Sequence, residues 1–257
     1  MTPAEAEIQT SHSVPAGNAE APAVLQILPS LETGGVERGA VDIAAALTAA
    51  GWRAVIASSG GPMAHEIERV GGTHITLPVD SKNPLIMRKN IRAIANVIRT
   101  HNISIVHARS RAPAWSARSA AQRCGVPFMT TFHGTYNFSN PVKKAYNAIM
   151  TKGERIIAIS EFIGRHIEEN YGVAREKIRV IPRGVDTENF KPDAVSPERM
   201  IQLSQAWRLP DDASVIMLPG RLTRWKGQSV LIEAARRLER DNVRVLLVGD
   251  DQGRTAY

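Results

Sequence analysis

The feature that most limits what this chain can become is a rhythm. Short runs rich in Val, Ile, Leu and Ala alternate with longer stretches of helical spacing. Val24–Leu28, Arg53–Ala57, Thr73–Leu77, Ile103–His107, Pro127–Phe132, Arg155–Ile159 and Ile178–Ile181 read as strands. Between them Val36–Ala50, Met63–Val70, Pro84–His101, Pro113–Cys124, Pro141–Thr151 and Glu161–Asn170 read as helices. In Pro84–His101, for example, Ile86, Ile91, Ile94, Val97 and Ile98 recur at helical spacing. Gly51 and Gly125 close two of these helices, and Ser160 stands where a cap belongs. Strands alternating with helices of this length predict βαβ units and a parallel sheet covered on both faces. Such sheets take ligands at the carboxyl ends of their strands, where strand order reverses. Functional residues are therefore expected just after strands.

The rhythm breaks after Pro182. Residues 183–212 hold Pro192, Pro197 and Pro210, with one short helical stretch over Glu198–Trp207. It then restarts with a strand at Ser214–Leu218, a turn at Pro219-Gly220, a helix at Gln228–Arg240 and a strand at Val243–Val248. The expected organisation is a disordered leader over 1–22, an α/β domain over 23–190, a connector over 191–212, and the start of a second α/β domain over 213–257. A lone βαβ unit has two open edges and little surface to bury, so the second domain is expected to be truncated.

Composition removes several classes. One cysteine, Cys124, supports neither an intrachain disulfide nor a cysteine-based zinc cluster, which points to a reducing, cytoplasmic setting. Met1–Pro22 has no apolar core of a signal peptide, and no window reaches the roughly 18 apolar residues that span a bilayer. The net charge of +7 calls for an anionic partner. No block of Lys and Arg and no basic-aromatic alternation suggests nucleic acid.

Three stretches carry chemistry. Gly34-Gly35 precede a helix, where free N–H groups and the helix dipole favour a phosphate, although a purely structural turn reads the same way. No third glycine completes a dinucleotide fingerprint. His133, in Thr131-Phe132-His133-Gly134, follows a strand and is placed to bond a sugar hydroxyl or, equally, nearby backbone. His107 ends another strand and has a weaker claim. In Pro219-Gly220-Arg221-Leu222-Thr223-Arg224-Trp225-Lys226-Gly227 a guanidinium and an ammonium meet at a helix start, which suits a diphosphate leaving group better than a solvated basic turn.

Ser30-Leu31-Glu32-Thr33-Gly34-Gly35-Val36-Glu37, Phe132-His133-Gly134, Arg183-Gly184-Val185-Asp186 and Gly220-Arg221-Leu222 through Lys226-Gly227 follow the order seen in family 4 of the retaining glycosyltransferases, which the chain resembles from Val24 to Gly249. The resemblance implies the GT-B type of fold, with two Rossmann-like domains, the first for acceptor and the second for a nucleotide sugar. It implies that Gly34 and Gly35 lie near the donor phosphates and that His133 contacts the transferred sugar. By the same resemblance Arg221 and Lys226 hold the diphosphate, Glu37, Ser160 and Glu161 line the cleft, and neither metal nor cofactor is needed. Two departures stand out. Arg183 occupies a position where the family commonly has Asn, and the paired-glutamate motif of the second domain is absent, so the chain as given is expected to be inactive alone.

The reading is a retaining transferase that moves a hexose from a UDP- or GDP-sugar to a hydroxyl of a cell-envelope glycan or glycolipid, such as in lipopolysaccharide assembly. Its rivals are another GT-B enzyme, a sugar-nucleotide epimerase or phosphorylase, and a non-catalytic fragment that binds acceptor or membrane. Arg88, Lys89, Arg92 and Arg99, with Lys143, Lys144 and Lys152, suit peripheral contact with an anionic membrane at the inner face, or simply two solvated helix faces.

Overall fold

A computed structural model describes residues 21–136 and 138–251. The leader expected over 1–22 lies outside them, apart from its last two residues. The described residues form two compact units, divided after Gly184.

In the first unit the strands are β1 (Ala23–Ile27), β2 (Arg53–Ser58), β3 (Thr73–Thr76), β4 (Ile105–Ala108), β5 (Phe128–Phe132), β6 (Arg155–Ala158) and β7 (Ile178–Val180). The helices are α1 (Gly35–Ala49), α2 (Ala64–Arg69), α3 (Pro84–Thr100), α4 (Arg111–Cys124), α5 (Pro141–Asn147) and α6 (Glu161–Tyr171). The second unit holds α7 (Pro197–Ala206), β8 (Ser214–Pro219), α8 (Gln228–Arg236) and β9 (Val243–Val248).

The seven strands of the first unit form one sheet in the order β3-β2-β1-β4-β5-β6-β7, parallel throughout. Order therefore reverses between β1 and β4. Strand β2 shows how the sheet is covered. Its alternate residues Val55 and Ala57 join one buried cluster, with Ile94 and Ile98 of α3, Ala114 and Ala117 of α4, and Ile163 of α6. Ala54 and Ile56 join another, with Ala40, Val41 and Ala44 of α1 and Ile67 of α2. Side chains two apart on a strand share a face, so β2 feeds two cores and is apolar from Ala54 to Ala57. Helices α1 and α4, which follow the two strands flanking the reversal, thus lie on opposite faces.

The expected α/β architecture stands, with corrections at helix ends. The helix expected over Pro141–Thr151 is α-helical only to Asn147. Ala148–Thr151 tighten into a 3-10 turn, and the Thr151 hydroxyl donates to the Ala148 carbonyl at 2.8 Å. The helix expected to reach Arg240 stops at Arg236. There Arg237 N–H and Leu238 N–H bond carbonyls three residues back, at 3.0 Å each, and Leu238 has no buried face to hold another turn. In the second unit β8 and β9 make a two-stranded parallel sheet. Many of that unit's apolar side chains are exposed, Met217, Val230 and Ile232 among them.

Candidate active site

Of the loops at the carboxyl end of the sheet, those that follow β1, β4, β5, β6 and β7 carry the candidate residues. The β1 loop runs through Leu31, buried beneath it, to Gly34-Gly35 at the head of α1. The loop after β2 braces it: Leu31 N–H donates to Gly60 O at 2.7 Å and Met63 N–H to Leu31 O at 2.9 Å. Gly61 there has φ +134°, and a Cβ on it would sit 2.5 Å from the Leu31 carbonyl carbon.

His133 follows Phe132, which is fully buried at the end of β5 and packs its ring 4.9 Å from that of Tyr136. The imidazole is met from the far side by Arg183, three residues past β7. One guanidinium nitrogen, Nη2, lies 2.7 Å from His133 Nδ1, and the other, Nη1, donates to the Gly35 carbonyl. A guanidinium only donates, so Nδ1 accepts and the ring proton resides on Nε2. Burial, then the charges of Arg109 and Arg183, push the His133 pKa down to about 3. The ring is neutral at neutral pH, and its Nε2–H is buried with no partner among the described residues. It can donate one hydrogen bond to a ligand oxygen. It cannot serve as a cationic acid there.

Arg109, the first residue past β4, is only 5% exposed. Its Nη1 donates to Gln26 Oε1 at 2.9 Å, and Gln26, buried in β1, donates in turn to the Ala40 carbonyl of α1 at 3.1 Å. Its Nε is buried with no partner among the described residues. Burial and then the Arg183 charge lower its pKa to about 10, against the opposing influence of Asp42 and Glu37, so it remains a cation. The guanidinium lies over α1 where the helix has glycine: a Cβ at Gly39 would be 2.9 Å from Arg109 Nη2 and 3.5 Å from Arg183 Nη1. Neither Gly39 nor Arg109 stands out in the sequence. The rule that ligand-facing residues follow strands nonetheless points at Arg109, and Gly39 is the space that lets it in.

The other expected residues fall out unevenly. Gly34 and Gly35 stand at the head of α1, and both are already faced by side chains. The Glu37 carboxylate folds back against Gly34, and Arg183 covers Gly35. Ser160 is the cap of α6, accepting from Ile163 N–H at 3.3 Å. Glu161 pairs with Arg175 at 2.9 Å, a cation that Glu168 shares at the same distance. These contacts bind α6 to the turn before β7. His107 is buried within β4, 2.7 Å from Thr131 Oγ1, with its pKa held well below the usual value by burial and by Arg109. Beside the same edge, a cleft of about 470 Å³ is lined by Pro29, Asp80, Lys82, Arg111, Lys143 and Tyr146 among others.

In the second unit, Arg221 and Lys226 flank one exposed indole. The Arg221 guanidinium carbon lies 5.7 Å and Lys226 Nζ 4.7 Å from the Trp225 ring centre. The loop is fixed from below by Gln228, whose Nε2 donates to the Arg221 carbonyl at 2.9 Å. Gly227 opens α8 directly after Lys226. Among the described residues no cluster of three or more His, Cys, Asp or Glu side chains could hold a metal ion, and no helix is long and apolar enough to cross a membrane.

The chain is 27% identical over 169 residues to the D-inositol 3-phosphate glycosyltransferase of Acidothermus cellulolyticus, an alignment covering 58% of this chain and 36% of that protein. Among solved structures it is similar to a glycosyltransferase of Rickettsia africae, at TM-score 0.81 and 39% identity, covering 92% of this chain and 63% of that one. It is also similar in fold to Anabaena HepE, solved in complex with UDP-glucose, at TM-score 0.76 and 21% identity, covering 91% of this chain and 63% of that one. The chain thus spans about a third of the length of the curated relative and under two thirds of these structures. Its fold is the GT-B type of α/β fold expected from the motifs. A Glycosyltransferase Family 4 model matches residues 33–189, more than half of the sequence, and on that match the chain belongs to Glycosyltransferase Family 4.

Proposed function

We propose that the protein of which this sequence is part, or the whole, transfers a hexose from a UDP- or GDP-sugar to a hydroxyl of a cell-envelope glycan or glycolipid, with retention at the anomeric carbon and without a metal. The observation that carries the reading is the pair Arg221 and Lys226, set about one indole at the head of α8. In the reaction, the bond from anomeric carbon to phosphate oxygen breaks and the nucleoside diphosphate leaves with the electron pair. The acceptor oxygen forms the new bond on the same face and gives up its proton. Two cations placed where the diphosphate gathers charge lower that barrier, doing work that a metal does elsewhere.

The first unit contributes the sugar and acceptor side. Neutral His133 donates Nε2–H to an oxygen of the transferred sugar. The cleft with Lys82, Arg111 and Lys143 suits an acceptor that carries negative charge. The relative from Acidothermus is named for a phosphorylated acceptor, which supports the same view. Exposed Leu85 and Val142, near Arg88, Lys89, Lys143 and Lys144, suit seating against an anionic lipid surface at the inner face of the plasma membrane.

The test is turnover of radiolabelled UDP- and GDP-sugars by the whole protein. Arg221→Ala is expected to lower kcat by about a hundredfold or more while the fold is kept. Unchanged turnover in that variant would remove the diphosphate role.

A further inference from the structure

A second collection of positive donors lies in the first unit, and the diphosphate chemistry leaves it unused. Arg109 and Arg183 approach each other over Gly39, one buried and one exposed. Among the described residues no carboxylate forms an ion pair with either. Glu37 and Asp42 influence Arg109 only through space, and the Glu37 carboxylate is turned toward Gly34. Among the described residues the donors outnumber the acceptors: Arg109 Nε and His133 Nε2 are buried with nothing to bond, and Arg109 Nη2 bonds nothing. Buried donors are nearly always satisfied, and a charged one left open costs more than a neutral one. Arg109 is held in place regardless, by the Gln26 bond that anchors it to β1. The arrangement also sits at the strand-order reversal and beside the amino end of α1, where ligands and anions are favoured.

We propose that Arg109 and Arg183 form an anion site that takes a phosphate or carboxylate group of a substrate, distinct from the diphosphate seat at Arg221 and Lys226. The proposal rests on the reading that the carboxyl edge of this sheet receives substrate. A phosphoryl group fits best. Its three oxygens accept from two guanidinium forks at once, and a fork-to-oxyanion bond is shorter and stronger than one to a neutral acceptor. Arg183 is the exposed member, so it turns from Gly35 and His133 toward the incoming group. Arg109 stays fixed. Asn at position 183 would retain a hydrogen bond but supply no charge.

Inorganic phosphate is the probe, titrated by calorimetry at constant ionic strength into the chain carrying Arg221→Ala and Lys226→Ala, which removes the other seat. Saturable uptake is expected, and adding Arg183→Asn is expected to weaken it by about tenfold or more, with Arg183→Lys falling between. Arg109→Gln is expected to abolish it. Should that buried change unfold the chain, the exposed Arg183 series still decides. Absence of saturable uptake, or equal affinity in Arg183→Asn, overturns the proposal. Competition in the otherwise native chain tests the separation of the two seats: independent binding of UDP and phosphate assigns this site to the acceptor, whereas UDP that displaces phosphate from it overturns its distinctness from the diphosphate seat. Transfer that survives Arg221→Ala would instead sink the diphosphate reading and leave this titration standing.

Discussion

His133 is the residue where sequence and surroundings diverge most. Alone, a histidine after a strand has an ordinary pKa and two available tautomers. Here burial and two guanidinium groups keep the ring neutral down to a pKa of about 3, and Arg183 selects the Nε2–H form. The consequence for stability has a definite sign. Between pH 6.5 and 3 the unfolded chain binds a proton on this ring and the folded chain does not, so stability falls as pH falls through that window. For His133 alone the loss from pH 6.5 to pH 4 is at most about 3 kcal/mol. Urea unfolding followed across that range is expected to show the decline, and His133→Gln to flatten part of it. His107, whose pKa is also lowered well below the usual value, accounts for a further share. A slope unchanged in the variant would mean that the ring is not held neutral. None of this is visible along the chain. Residues 133 and 183 are joined only because β5, β6 and β7 are laid side by side, so that the loop after β7 reaches back across the end of β6.

At the scale of elements, the alternation of apolar runs and helical periods carried nearly all the information needed. A strand buried on both faces is apolar almost throughout, as β2 is from Ala54 to Ala57, whereas β1, β4 and β5 bury the polar side chains Gln26, His107, Thr130 and Thr131. The errors lie at ends such as those of α5 and α8, where tightened turns and loss of a buried face decide the boundary rather than periodicity. Caps were legible where the side chain does the capping, as with Ser160. Its role in the structure is local, and Ser160→Ala is expected to lower stability by about 1 kcal/mol, read as a lower urea midpoint. A larger fall in substrate affinity than in stability would restore a ligand contact to Ser160. Gly61 is a different case. Its left-handed backbone and its contact with the Leu31 carbonyl leave no room for a methyl group, so Gly61→Ala is expected to cost about 2 kcal/mol or more. The same change is expected to disturb the loop leading to Gly34, seen as shifted amide resonances for residues 31–36.

For the molecule as a whole, the two units differ in how much they bury. The first has a seven-stranded sheet with helices on both faces. Among its described residues the second has two strands and many exposed apolar side chains. Amide exchange is therefore expected to be slow in β1, β4 and β5 and faster by orders of magnitude in β8 and β9. Equal protection across both sheets would contradict that ranking. The motif order was enough to indicate the family because each motif falls at a strand end or helix start, where the fold itself places chemistry. The positions of Arg109 and Gly39 were harder to see, since one looks like any surface cation and the other like any small helical residue. The strand order has one more effect. Because α1 and α4 depart to opposite sides of the sheet, the gap above β1 and β4 comes from how the polypeptide is wound and not from missing side chains. Recognition groups along that rim can be exchanged for others while both hydrophobic layers stay intact, so a scaffold of this kind can acquire new substrates without first becoming less stable.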